Sequence, residues 1–579
     1  MKKLWAVCLL GLSTALANIP IALGADTDYE VLWRVPFDEK AIPEFTTWPS
    51  DFSGQGAYTS VLPVCNEAIV ADCLQSVAYK NSQGEWISGE FQSYFPVEPD
   101  YKSKPGTILY QMVGDALPVN PVSPSQLPPS GRSGLWNFPT ISHSNGQDFL
   151  VSMWIFGSGN NKTGPLPGAN VRASVQPISS VTKKTARIKY IIGQPIIGEP
   201  EKLSPNTNCY ELADEINDYC TFREQFNSLT PIKVVVKLKK FSQIFDSFGS
   251  WFTARVSDPN LEISRQSSDT IQVTFSGTPI KLSSAISTFP ATLENYVLGR
   301  KILKDTYQKS FPGSTPLDLD PEDISCFNPK PHNETPNCQR WKDRSVASNI
   351  PAEDKWSFYL WQELAKRFQI VPINENTNWS FSTSGGQISP EILGCSSANT
   401  IVPISKDSLG GLIASNATVI DPNPPTWNQE KQTLDFAIAG IVNSENKSGG
   451  TQFYELKINE TLARCLWKID LSTAQAQIQV LNSGTDEIDR IQTVTLSTKG
   501  DYLTFNVSGL NISSSIISVK IFGNPIKSQQ ALSEVPEPAP TATMVKTRTI
   551  SCTKGKTLRT ISGEKPVCPK GFKLAVRKK

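Results

Sequence analysis

Cysteine spacing constrains this 579-residue chain more than any other feature of its sequence. Of its eleven cysteines, Cys8 lies in an apolar N-terminal stretch and the other ten fall into neighbouring couples. These are Cys65 with Cys73, Cys209 with Cys220, Cys326 with Cys338, Cys395 with Cys465, and Cys552 with Cys568. An even number of cysteines behind a secretory signal points to disulfides, and sequential pairing is the expected connectivity. Each short-loop bridge is worth about 3 kcal/mol, chiefly through restriction of the unfolded chain. Structural zinc would need CxxC pairs or Cys/His clusters, and the sequence has none. Two histidines, His143 and His332, leave little room for a multi-histidine metal site or a histidine relay, and no cofactor is expected.

The signal is read from Lys2 and Lys3, the apolar run Leu4–Leu16, and small residues around Ala17 and again up to Ala25. Cleavage after Ala17 or near Ala25 fits; residues 1–25 are taken as the signal peptide. Cys8 lacks a lipobox, and no later segment approaches the roughly 20 apolar residues that a spanning helix needs. The expected location is extracellular or associated with the cell envelope, without a membrane span.

With 36 Gly and 43 Pro, abundant Ser, Thr and Asn, and 39% hydrophobic residues, the chain reads as globular and turn-rich. The expected fold class is mainly β with minor helices, divided among several domains. A β-rich domain is expected at 26–207, with strands at Gln147–Phe156 and Lys184–Ile192 and an extended Pro-rich loop at Leu117–Pro129. A small α+β or β region at 208–291 would hold a short helix between Cys209 and Cys220, then strands at Ile232–Leu238 and Thr270–Phe275. A mixed region at 292–394 contains the best helical pattern, Ala352–Phe368, with Trp356, Leu360, Leu364 and Phe368 spaced by four. Residues 395–527 read as a β-sandwich-like domain with strands at Gln432–Ile441, Gln452–Ile458, Ala476–Leu481, Ile491–Leu496, Tyr502–Val507 and Ile516–Phe522. Cys395 and Cys465 are placed to staple its sheets. Residues 528–545 are a Pro/Ala-rich linker, and 546–579 form a basic two-cysteine module.

Charge divides the chain sharply. Residues 546–579 carry eleven Lys or Arg against Glu564, a net +10, while 26–545 carry 42 basic and 53 acidic residues, a net −11. The overall +1 hides this asymmetry. Strands near Thr547–Cys552 and Lys556–Ile561 would make a hairpin closed by a Cys552–Cys568 bridge, the staple that so small a core requires. Its candidate polyanion-binding residues are Lys554, Lys556, Arg559, Lys565, Lys570, Lys573, Arg577, Lys578 and Lys579. The expected partner is anionic cell-wall or extracellular polysaccharide, with attraction that salt screens. The same charge would attract nucleic acid, which the compartment makes the weaker choice, so no nucleic-acid partner is expected.

The segments Thr549–Lys556 and Gly563–Lys573 resemble a short basic two-cysteine module that ends many secreted, multi-domain, uncharacterised actinobacterial proteins. The stretches Ser396–Thr400, Pro425–Asn428, Ala463–Trp467 and Ile516–Phe522 look like a C-terminal β-domain of such proteins, and Trp136–Pro139 is similar to a further piece of them. The resemblance implies no activity and carries over no catalytic residue.

Other motifs have plainer readings. Asp318, Asp320, Glu322 and Asp323 group oxygen ligands of the kind calcium takes. They lack the glycine and distant glutamate of an EF-hand loop, and a solvated acidic turn before Cys326 is preferred. His143 has serines and Asp148 close in sequence, but no GxSxG turn exists. His332 is expected to be exposed. Gly157-Ser158-Gly159 lacks the third glycine and the Gly-Lys-Ser/Thr ending of phosphate loops. Trp154 and Trp361, beside apolar neighbours, read as core. The expected function is therefore a non-catalytic binding or structural role at the envelope or in the medium. Alternatives are a polysaccharide hydrolase using paired carboxylates, which leave no sequence spacing to find, and a surface-layer assembly component.

Overall fold

Ile232–Leu238 shows the local logic of the molecule: Ile232, Val234, Val236 and Leu238 are buried while Lys233 and Lys237 alternate with them. That period of two is a strand with one face on a core. The computed structural model describes residues 56–95, 133–183, 219–288, 369–395, 409–440, 452–525 and 548–574, with short gaps inside these spans. It also describes Glu30–Arg34, Cys209–Tyr210, Val346–Asn349, residues 355–367 and scattered helical positions between 298 and 309. The chain divides into two compact units, Met1–Pro525 and Ile526–Lys579.

The larger unit is mainly β, as its sequence implies. Its central sheet has twelve strands. From one edge they run Ser497–Lys499, Tyr502–Leu510, Gln452–Asn459, Gly411–Ser415, Trp251–Ala254, Ser380–Thr383, Asn170–Pro177, Asp148–Asn160, Gly134–Asn137 and Glu90–Tyr94. Gly56–Val61 and Gly164–Pro165 add to Asp148–Asn160. Neighbours pair antiparallel except Trp251–Ala254 with Gly411–Ser415, which are parallel. A second sheet is ordered Val256–Arg265, Ile271–Thr288, Ile232–Leu238, Cys73–Lys80, Trp86–Ser88, with Gln369–Asn378 on the far half of Ile271–Thr288. A third is ordered Val419–Ile420, Thr433–Ala439, Ser514–Phe522, Gln475–Asn482, Ile488–Val494, with Thr426–Asn428 on Thr433–Ala439.

The second and third sheets pack on opposite faces of the central one. Phe252, Ala254, Leu412 and Ala414 join a core with Val234, Val273 and Phe275 of the second sheet. Trp251 and Ile413 point the other way, into a core with Phe436, Ile478 and Val519 of the third. All residues of Trp251–Ala254 and Gly411–Ser415 are accordingly buried. Strands covered on both faces lose the polar alternation that marks a half-exposed strand, which is why neither segment stands out in the sequence. Gly411 is required by this packing, since a Cβ there would lie 2.3 Å from the Lys457 carbonyl oxygen and 2.5 Å from the Trp251 ring. Where the chain leaves the central sheet for the second, Arg255 fixes the corner. Its buried guanidinium donates to the carbonyls of Ser415 at 3.0 Å and Ala417 at 2.6 Å.

The central sheet draws strands from all four segments 26–207, 208–291, 292–394 and 395–527, so the expected boundaries between them do not coincide with the ends of sheets. Pro- and Gly-rich connections mark where the chain leaves a strand, not where a layer stops. The sandwich expected at 395–527 has the third sheet as one layer, but its other layer continues into the rest of the unit.

The individual strands expected at 232–238, 432–441, 452–458, 476–481, 491–496, 502–507 and 516–522 are present within a few residues of those limits. Thr270–Phe275 is the start of the longer Ile271–Thr288. The helix expected at 352–368 is Lys355–Ala365. Between Cys209 and Cys220 the described ends are strands, Cys209–Tyr210 paired with Tyr219–Phe222, and the helix expected between them lies outside the described residues. So do Lys184–Ile192, Leu117–Pro129, the signal segment and the linker.

The smaller unit is a hairpin of Arg548–Lys554 and Thr557–Gly563, with Lys573–Leu574 on the outer edge of its first strand.

Candidate functional site

The basic module is built around one bridge. Cys552, fully buried in mid-strand, is joined to Cys568 with Cα atoms 5.7 Å apart. The bridge pulls the segment after the hairpin back across its first strand, where Lys573 and Leu574 pair with Thr553 and Cys552. A turn closed by the Phe572 amide donating to the Pro569 carbonyl at 2.9 Å aims this return. Gly571 sits in that turn at φ +91°, beneath the Lys554 side chain, whose Nζ would lie 3.3 Å from any Cβ there. Lys554, Lys570 and Lys573 are all exposed, and no acidic side chain pairs with them among the described residues. Arg559 occupies the register position opposite Cys552. Side chains of Lys556, Arg559, Lys565, Arg577, Lys578 and Lys579 lie outside the described residues.

Two further disulfides are formed as couples. Cys65–Cys73 closes a loop whose neighbour Asp72 is buried in a left-handed conformation, φ 52°. The Asp72 carboxylate accepts from the backbone amides of Lys239 at 2.9 Å and Lys240 at 3.0 Å, tying this loop to the turn after Ile232–Leu238. Burial raises its pKa above the usual carboxyl value despite these bonds. Cys395–Cys465 links two helices, Pro390–Cys395 and Glu460–Trp467, rather than the two sheets. The Cys209 and Cys220 side chains, and Cys326 and Cys338 altogether, are outside the described residues.

The helix Glu460–Trp467 escaped the sequence reading, although its signal is there. Asn459 caps it, its side-chain oxygen accepting from the amides of Thr461 and Leu462, and Glu460 pairs with Arg464 one turn later at 2.6 Å. Strand-like flanks masked it.

His143 is buried against the Phe149 ring edge, and its Nε2 lies 3.0 Å from the Asp148 carbonyl oxygen. Burial lowers its pKa. These contacts are those of a packed structural histidine. Gly157-Ser158-Gly159 lies within a strand paired to Gly56–Val61. Trp361 is buried and Trp154 half-buried. Asp318, Asp320, Glu322, Asp323 and His332 fall outside the described residues, and among those described no group of three or more His, Cys, Asp or Glu could hold a metal. No helix among them is long and apolar enough to cross a membrane.

One cleft in the larger unit is lined by Asn260, Leu261, Leu409, Gly411, Leu412, Lys457 and Tyr502. Its volume of about 30 Å³ admits a water or two, not a sugar ring. Lys457 crosses it to donate to the Pro259 carbonyl and lies 3.6 Å from Glu455, so its polar groups join the central and second sheets.

Set beside protein-family models, curated proteins and solved structures, the chain matches none.

Proposed function

We propose that the protein is a secreted, non-catalytic binding or structural component of the cell envelope or extracellular medium, held on anionic surface polymer by its C-terminal module. The observation that carries this reading is the disulfide-closed hairpin that displays Lys554, Lys570 and Lys573 without acidic partners among the described residues. A module of net +10 joined to a segment of net −11 concentrates attraction for polyanions at one end of the chain. The Pro-rich stretch at 528–545 would act as a spacer. Disulfides support placement in an oxidising compartment. The resemblance of the module to basic two-cysteine ends of secreted proteins supports the same placement.

The test compares the mature protein with a version ending at Val545 for retention on washed cell envelopes at low and high salt. Retention that disappears on truncation, and weakens steeply as salt rises, is the expected result. A truncated protein that stays bound at high salt would overturn the anchoring role.

A further inference from the structure

Beyond the tail, a second charged surface stands out on the outward side of the second sheet, away from the core it shares with the central sheet. Its inward residues, Val77, Tyr79, Val234, Val236, Val273 and Phe275, belong to the core shared with the central sheet. Its outward register positions hold small or polar residues such as Ala78, Ser88, Thr274 and Ser276, together with Lys80, Lys233 and Lys237. Ala78 and Val235, although at outward positions, are buried, so the accessible part of this face lies at the lysines and the Trp86 edge. On the short edge strand Trp86–Ser88, directly opposite Lys80, Trp86 keeps 38% of its surface exposed. The Lys233 ammonium lies 4.5 Å from the Trp86 ring centroid and that of Lys80 5.9 Å. None of these three lysines has an acidic partner among the described residues, whereas nearby Lys239 is taken up by Asp269 at 2.9 Å. The acid at an outward register position, Glu262, stands on the opposite edge strand.

Trp86 thus presents a partly exposed aromatic ring held in cation–π contact with two ammonium groups. Lys233 lies over one face of the Trp86 ring, so a pyranose ring would stack its apolar face on the other, with the ammonium groups of Lys233 and Lys80 close enough to match carboxylates attached to the sugar. Glu85 immediately precedes Trp86, but its carboxylate accepts from the Asn81 side-chain amide at 3.2 Å; on a segment that is net negative, three lysines without acidic partners among the described residues make this face select for an anionic occupant.

We propose that this face is a second binding surface, for polysaccharide whose sugars carry carboxylates, with Trp86 as stacking platform and Lys80 and Lys233 as counter-charges. It deepens the reading above, in that the tail then supplies general electrostatic retention and the sheet recognises the sugar.

Affinity electrophoresis of the full-length protein in gels containing polygalacturonate, polyphosphate or a neutral β-glucan tests this. Trp86→Ala is expected to weaken retardation by polygalacturonate about threefold or more, Trp86→Phe to retain most of it, and polyphosphate retardation to stay unchanged. Lys233→Gln should weaken polygalacturonate binding in the same way. Unaltered melting temperatures establish that these variants fold. The proposal is overturned if Trp86→Ala binds polygalacturonate like the wild type, if it loses both polyanions equally, or if neutral glucan retards the wild type as strongly. Trp86-dependent retardation by polygalacturonate with none by polyphosphate would uphold the sheet surface while refuting the tail.

Discussion

Replacing Cys552 and Cys568 together by serine should open the basic module and leave the larger unit intact. The bridge closes a sequence separation of 16 residues. Chain-entropy reasoning for a loop of that length gives about 3 kcal/mol. A module this small rarely has more than about 3–5 kcal/mol to lose, and Cys552 is the fully buried side chain among its described residues. Since about 1.4 kcal/mol is a factor of ten, the open population should rise by about two orders of magnitude. Limited trypsin digestion under native conditions reads that population, provided that closing outpaces cleavage. Arg559, paired in mid-strand opposite Cys552, is the site to follow by mass spectrometry. Its initial cleavage rate should rise about a hundredfold in the double variant, by the same ratio, while cutting after Arg464 in the disulfide-linked helix Glu460–Trp467 stays unchanged. Equal rates in variant and wild type would refute the reasoning, because the hairpin would then be held by something other than the bridge. A wild-type module cut at the rate of an unfolded peptide would refute it too.

Three further outcomes follow from the packing and the buried charges. Gly411→Ala pushes a methyl into the Lys457 carbonyl and the Trp251 ring, and should lower unfolding free energy by about 1–3 kcal/mol in urea titrations; a neutral effect would contradict the doubly covered strand. The raised pKa of Asp72 means that the folded state holds its proton more tightly than the unfolded one, so wild type should gain stability relative to Asp72→Asn as pH falls toward 3.8. A pH-independent difference between the two in denaturation series would remove that assignment. His143 has the opposite linkage: its lowered folded pKa means wild type should lose stability relative to His143→Gln as pH falls below 6.5, and parallel curves would show that burial does not govern its titration.

Much of this architecture is written locally. Alternation in Ile232–Leu238 or Gln475–Asn482 specifies a strand and its buried face, because the side-chain period of a strand is two whatever it packs against. Short spacing likewise specifies the bridges Cys65–Cys73 and Cys552–Cys568, since nearby cysteines meet at small entropic cost. The basic hairpin and its charge were legible in the same way. Partners distant in sequence were not. Cys395–Cys465 could be paired from the sequence, but its placement between two helices depends on the Asn459-capped helix that follows a strand. The outward face around Trp86 becomes a surface only when Cys73–Lys80 pairs with Ile232–Leu238, some 150 residues on, and brings Lys233 over the ring.

The sequence by itself determined the β character of the chain, the short-range bridges, and the concentration of positive charge at its end, all of which depend on residues close together. Tertiary structure alone decided that one twelve-stranded sheet serves two cores. Trp251–Ala254 and Gly411–Ser415 carry no alternating signal, because both of their faces are covered, and their parallel pairing joins segments about 160 residues apart. A pattern that reports contrast between water and core falls silent where a strand meets core on both sides.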